Sequence, residues 1–466
     1  PAAATALLVV PPNVANDAPI VAWAHPTLGQ SDQCSVSRGT ERIPMPGGGT
    51  GPGGMEINVT DMIFFLDQML AKGYIVVMPD YLGIAVNGPT GNQKTYIVGP
   101  QEARDVFFAV EALHTDRKAG RGWPGVPQAG NRFVVMGHSQ GGHAALWSGI
   151  KADDLYKRTA QRLLGVMAVA PATDINQLVN TLWNQQANWV LGPEVIQTWA
   201  GYLGGWALKN NVLSQAGMAN ALKYFDYCTT QAFAASAEFY PNGASAPGTP
   251  FMKDPNDPAN QEAFYNWSKI FAKMTPTIQQ GKSNSFPKDM PLLMASGTAD
   301  QIVLSQANAA FQESFCAGGA DMAAYWTPVA TGIANPNPQV NSAFQAADHL
   351  NVLTFPFTDD VGGKTAQPQL VGGSLLEFTN DRFTGNGLPS DCGDKQKTHS
   401  AKNPFQNDIQ TWYVFPRLDW GEGCSVLTPL KCKIPPAIDP TDEKFYLTGG
   451  DPALMMPSKP TPPGGQ

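Results

Sequence analysis

The hydrophobic and polar positions of this chain fall into blocks that predict two kinds of element. Short apolar runs, rich in β-branched residues and ending at Gly, Pro, Asp or His, occupy residues 6–10, 20–25, 74–80, 133–139, 165–171 and 291–300. Runs that are apolar throughout are typical of strands covered on both faces. Between them, residues 59–72 and 101–113 carry apolar side chains at helical spacing. This alternation predicts a mostly parallel sheet whose ligand site lies at the carboxyl ends of the strands.

The alternation stops between residues 171 and 291. A gap of roughly 120 residues is too long for a loop and indicates an inserted, mainly helical cap. The predicted organisation is therefore a core at 1–173 and 291–400, a cap at 174–290, and a C-terminal extension at 401–466 that combines a possible flap with a proline-rich tail. We interpret the tryptophans of the cap mainly as packing residues rather than as the lining of a pocket; they are Trp183, Trp189, Trp199, Trp206 and Trp267.

Residues 137–141 read Gly-His-Ser-Gln-Gly, and they stand between a predicted strand and a predicted helix. A Gly-x-Ser-x-Gly sequence in this context is the nucleophile elbow of the α/β-hydrolase fold, which holds a serine on a sharp turn. The sequence therefore predicts that fold, with Ser139 as a nucleophile. His138 and His143 are interpreted as packing residues.

A serine nucleophile needs a histidine base and a carboxylate that orients the base. In this fold the order along the chain is serine, acid, histidine. Asp300 closes an apolar strand and is the predicted acid, ahead of Asp289 and Asp321. His349 is the predicted base, because His399 lies in a polar stretch with no strand leading into it.

Acyl transfer also needs two hydrogen-bond donors for the oxyanion. The backbone N–H of Gln140, next to the serine, is the first. The second is open at this point. It comes either from the loop at 25–28, where Thr27 or Leu28 follows a proline that has no N–H, or from the loop at 78–81.

Charge and cysteine content narrow the function further. The net charge is −8 and no basic cluster occurs, which argues against a nucleic-acid partner. No apolar run approaches the roughly 18 to 20 residues of a transmembrane segment. Six dispersed cysteines suit three disulfides, with Cys424 and Cys432 able to form a local loop. Disulfides and a chain that starts at Pro1 without a signal sequence are what we expect of a processed, secreted protein.

Several segments together resemble the secretory lipase family, the lipase-A-type α/β hydrolases of fungi and bacteria. They are VAWAHPTLG at 21–29, GYIVVMPDYLG at 73–83, GHSQGGHAALW at 137–147, SGTAD at 296–300 and DRFTGNGLPSDC at 381–392. The resemblance implies a triad of Ser139, Asp300 and His349. It also implies that Asp80 joins Gln140 in the oxyanion hole, with Thr27 in reserve. Relatives carry a helical cap, and some carry a C-terminal flap.

The chain departs from that family in two ways. A proline at position 26 stands where relatives usually have glycine, which bears on the oxyanion loop. The segment between His349 and the DRF sequence at 381–383 is also longer than expected, which bears on how the pocket closes.

Taken together, these features predict a secreted serine ester hydrolase that acts on apolar acyl esters and needs no metal or organic cofactor. Its partners would be a small-molecule or lipid ester, with possible contact to a lipid interface through the cap. Two alternatives use the same triad, a polyester depolymerase and an acyltransferase. A remote alternative is an inactive binding protein that retains the fold.

Overall fold

A computed structural model describes residues 4–38, 66, 68–84, 94–114, 126, 129–242, 247–278, 281–297, 300, 302–320, 322–327, 349, 352, 375–387 and 392. Within these ranges, seven strands form one sheet in the order β1-β3-β2-β4-β5-β6-β7. They are β1 (Ala6–Val9), β2 (Ala18–Ala24), β3 (Ile75–Pro79), β4 (Ala129–His138), β5 (Arg162–Val169), β6 (Leu292–Gly297) and β7 (Met322–Thr327). The edge strand β1 is antiparallel to β3, and the other neighbouring pairs are parallel. The predicted mostly parallel sheet is confirmed.

Helices cover both faces of the sheet, which is why the strands are apolar throughout. Along β4, Phe133 and Val135 join one buried cluster, whereas Val134 and Met136 join the other. The helices that follow or flank the strands are α1 (Gly99–Ala112), α2 (Gln140–Ile150), α3 (Ala152–Thr159), α10 (Ser305–Ala317) and α11 (Leu375–Thr384). On the first face, Phe107 of α1 packs edge-on against Phe133, with ring centroids 4.9 Å apart.

The chain between β5 and β6 is helical in its described part. It contains α4 (Ile175–Leu182), α5 (Asn188–Leu203), α6 (Gly205–Lys209), α7 (Gln215–Phe225), α8 (Thr229–Ser236) and α9 (Gln261–Met274). Its large aromatic residues pack against one another; Trp189, for example, stacks on Phe239 with ring centroids 3.6 Å apart. The interpretation of this segment as an inserted cap stays a prediction. The boundaries at 174 and 290 stay a prediction, and the extension at 401–466 lies outside the described residues.

Two disulfides lie within the described part of the chain. Cys34, in the segment after β2, pairs with Cys228 at the junction of α7 and α8 in the cap. Cys316, near the end of α10, pairs with Cys392. Cys424 and Cys432, whose short separation would allow a local loop, lie outside the described residues, as does His399. Among the described helices, none combines the length and apolarity that a membrane span requires.

Candidate active site

Ser139 occupies a strained turn between β4 and α2. Its φ of 58° and ψ of −117° lie in a backbone region that residues with a side chain rarely adopt; such a residue costs about 1 to 3 kcal/mol and persists only where its surroundings enforce it. The glycines on either side permit the turn. A Cβ at Gly137 would lie 2.0 Å from the Gly141 carbonyl oxygen, and a Cβ at Gly141 would lie 1.9 Å from that of Ala24. The serine is therefore held close against the carboxyl end of β2.

Asp300 and His349, far apart along the chain, are hydrogen bonded. His349 Nδ1 lies 2.7 Å from Asp300 Oδ2, and both side chains are buried. The other carboxylate oxygen, Oδ1, accepts the backbone N–H groups of Ile302 and Val303, each at 2.9 Å. Because both oxygens have partners, the carboxylate is fixed in one orientation, and an ionised Asp300 requires the proton on His349 Nδ1.

A second histidine joins this pair to the elbow. His138 Nε2 lies 2.8 Å from the carbonyl oxygen of His349, and the two rings are 4.7 Å apart. Since His138 directly precedes Ser139, this contact keeps the backbone of His349 beside the turn that carries the serine. His138 is predicted to be a packing residue, and no pattern in the sequence signals this contact.

The predicted oxyanion residues differ in the hydrogen bonds that their backbone N–H groups make. Gln140 is the first residue of α2, where backbone N–H groups have no partner within the helix. Asp80 is fully buried, its N–H donates to the Thr5 carbonyl at 2.8 Å, and its carboxylate accepts hydrogen bonds from Thr5 Oγ1 and the Ser37 N–H. Its N–H would have to leave Thr5 to reach an oxyanion. The role implied for Asp80 therefore stays a prediction, and these contacts count against it.

Thr27, the reserve donor, contacts a residue that lines the cavity. Its hydroxyl is 2.8 Å from the hydroxyl of Tyr96, and Tyr96 lines the same cavity as Ser139 and Gln140. Burial, followed by the nearby charge of Glu194, raises the pKa of Tyr96 well above its ordinary value. The Tyr96 hydroxyl therefore stays protonated. Tyr96 is a site residue that the sequence analysis did not identify.

The cavity in front of Ser139 is mostly aliphatic and contains about 600 Å³ of empty space, part of it open to solvent. One helical face of α4 supplies Ile175, Leu178, Val179 and Leu182, and α5 supplies Leu191 and Val195. The polar lining comes from Ser139, Gln140, Tyr96 and Asn188. A site of this composition can bury an apolar chain beside a serine hydroxyl.

Metal-ligating side chains do not cluster in the part of the chain that the structure describes. No group of three or more His, Cys, Asp or Glu residues there has an arrangement that could hold a metal ion.

Comparison with known proteins agrees with the resemblance noted in the sequence. The family model described as secretory lipase matches residues 55–194, which include Asp80, Ser139 and Gln140. Asp300 and His349 lie beyond the matched range. A search of curated proteins found no match. The resemblance to the secretory lipases is thus confirmed, and the match supports a hydrolase that acts on esters.

Three solved structures illustrate the fold. Lipase A of Candida antarctica in its closed state is 17% identical, with a TM-score of 0.55, and the match covers 84% of this chain and 76% of that one. The rice cell wall degrading esterase LipA of Xanthomonas oryzae is 17% identical, with a TM-score of 0.51 and coverage of 75% and 84%. A putative hydrolase of Legionella pneumophila is 14% identical, with a TM-score of 0.51 and coverage of 83% and 86%. The chain has the α/β-hydrolase fold.

Proposed function

We propose that this protein is a serine carboxylic ester hydrolase, of the lipase and esterase type, that cleaves esters of apolar acyl groups through an acyl-enzyme. The observation that carries the proposal is the hydrogen bond of 2.7 Å between Asp300 and His349. It lies beside a strained serine that opens into an aliphatic cavity. An oriented base near a serine that lines a substrate cavity is the arrangement that acyl transfer requires.

In the proposed mechanism, Ser139 Oγ attacks the ester carbonyl while His349 Nε2 removes its proton. Asp300 holds the imidazole in the required tautomer and stabilises the imidazolium that forms. The tetrahedral intermediate then collapses, and His349 returns the proton to the departing alcohol. A water molecule attacks the acyl-enzyme with His349 again as base, which releases the carboxylic acid and restores the serine.

The oxyanion would be held by the N–H of Gln140 and by a second donor, for which Asp80 and Thr27 are the candidates. The existing hydrogen bond from the Asp80 N–H to Thr5 favours Thr27. The close approach of the β2 end to Gly141 also brings the loop that carries Thr27 beside the elbow.

Replacing Ser139 tests the proposal directly. We expect Ser139→Ala to lose hydrolysis of p-nitrophenyl butyrate by at least about 10⁴-fold in kcat, because the nucleophile and its base act as a unit. A fluorophosphonate probe should label the parent protein at Ser139 and leave the variant unlabelled. A variant that hydrolyses the ester as fast as the parent would rule out the serine mechanism.

The aliphatic lining predicts a preference for longer acyl groups up to the depth of the cavity. Each methylene buried contributes about 0.8 kcal/mol, so kcat/KM should rise by up to about fourfold per carbon. A chain-length series of p-nitrophenyl esters measures this, beside a polyester film and a peptide panel. A flat series would exclude acyl burial in this cavity.

We also propose that the protein is secreted and that its cap contacts a lipid interface. Secretion is supported by the two disulfides and by the match to the secretory lipase model. The interface is supported by large apolar side chains exposed on cap helices, namely Leu208, Met218, Leu222 and Phe233.

A further inference from the structure

A second buried carboxylate lies directly behind the elbow. Glu102, on the first turn of α1, has no solvent-exposed surface. Its Oε1 accepts the backbone N–H of Ile97 at 3.0 Å and the side-chain amide of Gln140 at 2.9 Å. Its Oε2 lies 2.9 Å from His143 Nδ1. One carboxylate thus connects α1, the first turn of α2 and a segment that lines the cavity.

His143 extends this connection to the cap. Its Nε2 lies 2.8 Å from the carbonyl oxygen of Met274, the last residue of α9, so this nitrogen carries a proton and donates. The indole N–H of Trp147 donates to the same carbonyl at 2.9 Å. The backbone N–H of His143 also donates to the Ser139 carbonyl at 3.1 Å, which closes the first turn of α2 on the serine itself.

Apolar contacts alone could hold the two helices together, without a carboxylate. Burying a charged or polar group is costly unless it is fully hydrogen bonded, and apolar side chains of similar volume often stabilise a core more. What a carboxylate adds is direction, because it fixes the positions of the N–H groups that it accepts. The groups fixed here belong to Gln140, the expected oxyanion donor, and to Ile97, whose φ of 54° is unusual for a β-branched residue.

We propose that Glu102 is a positioning residue for acyl transfer. It anchors the Gln140 side chain and, through His143, the first turn of α2, so that the Gln140 N–H keeps its direction toward the oxyanion. It also holds Ile97 in place at the cavity wall. The inference rests on the proposed function, since it assigns Glu102 to the same reaction.

Gln140→Met tests the hydrogen bond from the Gln140 side chain to Glu102 by itself. It removes the amide that Glu102 binds but keeps the backbone N–H and a side chain of similar length. We expect kcat for p-nitrophenyl butyrate to fall by about tenfold, less than the roughly 10²- to 10³-fold lost when an oxyanion donor is removed outright. KM should change by less than about twofold, because the donor acts on the transition state. Titration with a fluorophosphonate corrects kcat for the fraction of active protein.

Two substitutions of Glu102 then distinguish a loss of positioning from a loss of folding. Glu102→Gln can accept from Ile97 and Gln140 through Oε1 and donate to His143 Nδ1 through Nε2, so it should keep kcat within about threefold. Glu102→Leu should lower kcat by at least as much as Gln140→Met. Adding Gln140→Met to Glu102→Leu should then have little further effect, because the anchor is already lost.

The matched control is Asp105→Asn. Asp105 is a buried carboxyl group on the same helix, and its hydrogen-bond partners are the Leu82 N–H and the Gln101 side chain rather than Gln140 or His143. Its substitution should leave kcat per labelled site unchanged whatever it does to stability. A parental kcat in Gln140→Met, or a loss that falls on KM instead, overturns the inference. Persistent hydrolysis by Ser139→Ala would instead overturn the proposed function, so the two failures are distinguishable.

Discussion

Two pairs of a carboxylate and a histidine flank Ser139, and they differ in the role that the imidazole can have. In both pairs the carboxylate meets Nδ1, at 2.7 Å for Asp300 and His349 and at 2.9 Å for Glu102 and His143. All four side chains are buried. In the second pair, however, Nε2 is hydrogen bonded to the Met274 carbonyl. Because His143 Nε2 donates to a carbonyl oxygen, it has no lone pair for the proton of the serine, so this histidine can hold the elbow in place but cannot act as the base.

The elements that carry each pair explain this division. Asp300 follows the carboxyl end of β6, where parallel strands of this fold present their functional side chains. Glu102 and His143 lie on α1 and α2, two helices packed against the first face of the sheet. The same chemical pair is therefore expected to act in catalysis at the carboxyl ends of the strands and to hold the elbow in position between α1 and α2.

The largest expected effect comes from exchanging the two histidines for apolar residues. His349→Ala should lower kcat by about 10⁵- to 10⁶-fold with a modest loss of stability, because the general base is gone. His143→Phe should have the opposite balance of effects, with a larger loss of stability and a smaller loss of activity. It leaves Glu102 buried without its imidazole, so the melting temperature should fall more than in His349→Ala, whereas kcat should fall only about tenfold. Steady-state kinetics and thermal unfolding on both variants measure this crossover; if His143→Phe lost more activity than His349→Ala, the assignment of the base would be reversed.

Asp300→Asn comes next in size. The amide keeps the shape of the carboxylate but favours the wrong imidazole tautomer, and a change of this kind in a serine triad lowers kcat by about 10⁴-fold. Asp289→Asn is the control, since Asp289 is an exposed aspartate just before β6 and should keep the parental rate. Equal rates for the two variants would remove Asp300 from the mechanism.

The contrast between the pairs also shows what a sequence can predict. Ser139 and Asp300 stand where predicted strands end, and the order of motifs along the chain pointed to His349. The sequence alone could therefore predict that Asp300 and His349 meet, whereas the catalytic roles of all three residues stay a prediction. Glu102 and His143 were not, because their hydrogen bond depends on how two helices pack across a large separation in the chain. Glu102 is one of several polar residues at 101–105, and His143 stands among small and apolar residues, so neither position marks a partner.

For Asp80, the structure adds a contact that the sequence could not indicate. Its segment resembles the one that supplies an oxyanion residue in the secretory lipases, but the prediction could not take account of Thr5. The pairing of β1 with β3 brings Thr5 beside Asp80, and a hydrogen bond then uses the Asp80 N–H. The lining of the cavity was likewise beyond prediction, since helical spacing identifies an apolar face but not the element that it meets.

Glu194, in helix α5, is another buried carboxyl group, and it differs from the two pairs in its hydrogen-bond partner. Its identified side-chain partner is the amide of Gln30, at 3.3 Å. Burial raises the pKa of Glu194 to about 8, and the hydrogen bond from Gln30 only partly opposes this. Burial therefore favours the neutral form of this carboxyl group at pH values below about 8.

Glu194→Gln should accordingly change how stability depends on pH. Because the folded pKa lies above the unfolded value, the contribution of Glu194 is fully present below about pH 4.5 and is lost as the pH rises toward 8. The loss approaches about 1.4 kcal/mol per pH unit in that interval. The glutamine variant, which keeps a neutral side chain at every pH, should match the parent at pH 5 and melt a few degrees higher at pH 8. Thermal unfolding across this range is the measurement, with the exposed Glu262→Gln as control, and parallel curves for parent and Glu194→Gln would mean that this carboxyl ionises in the folded protein without cost.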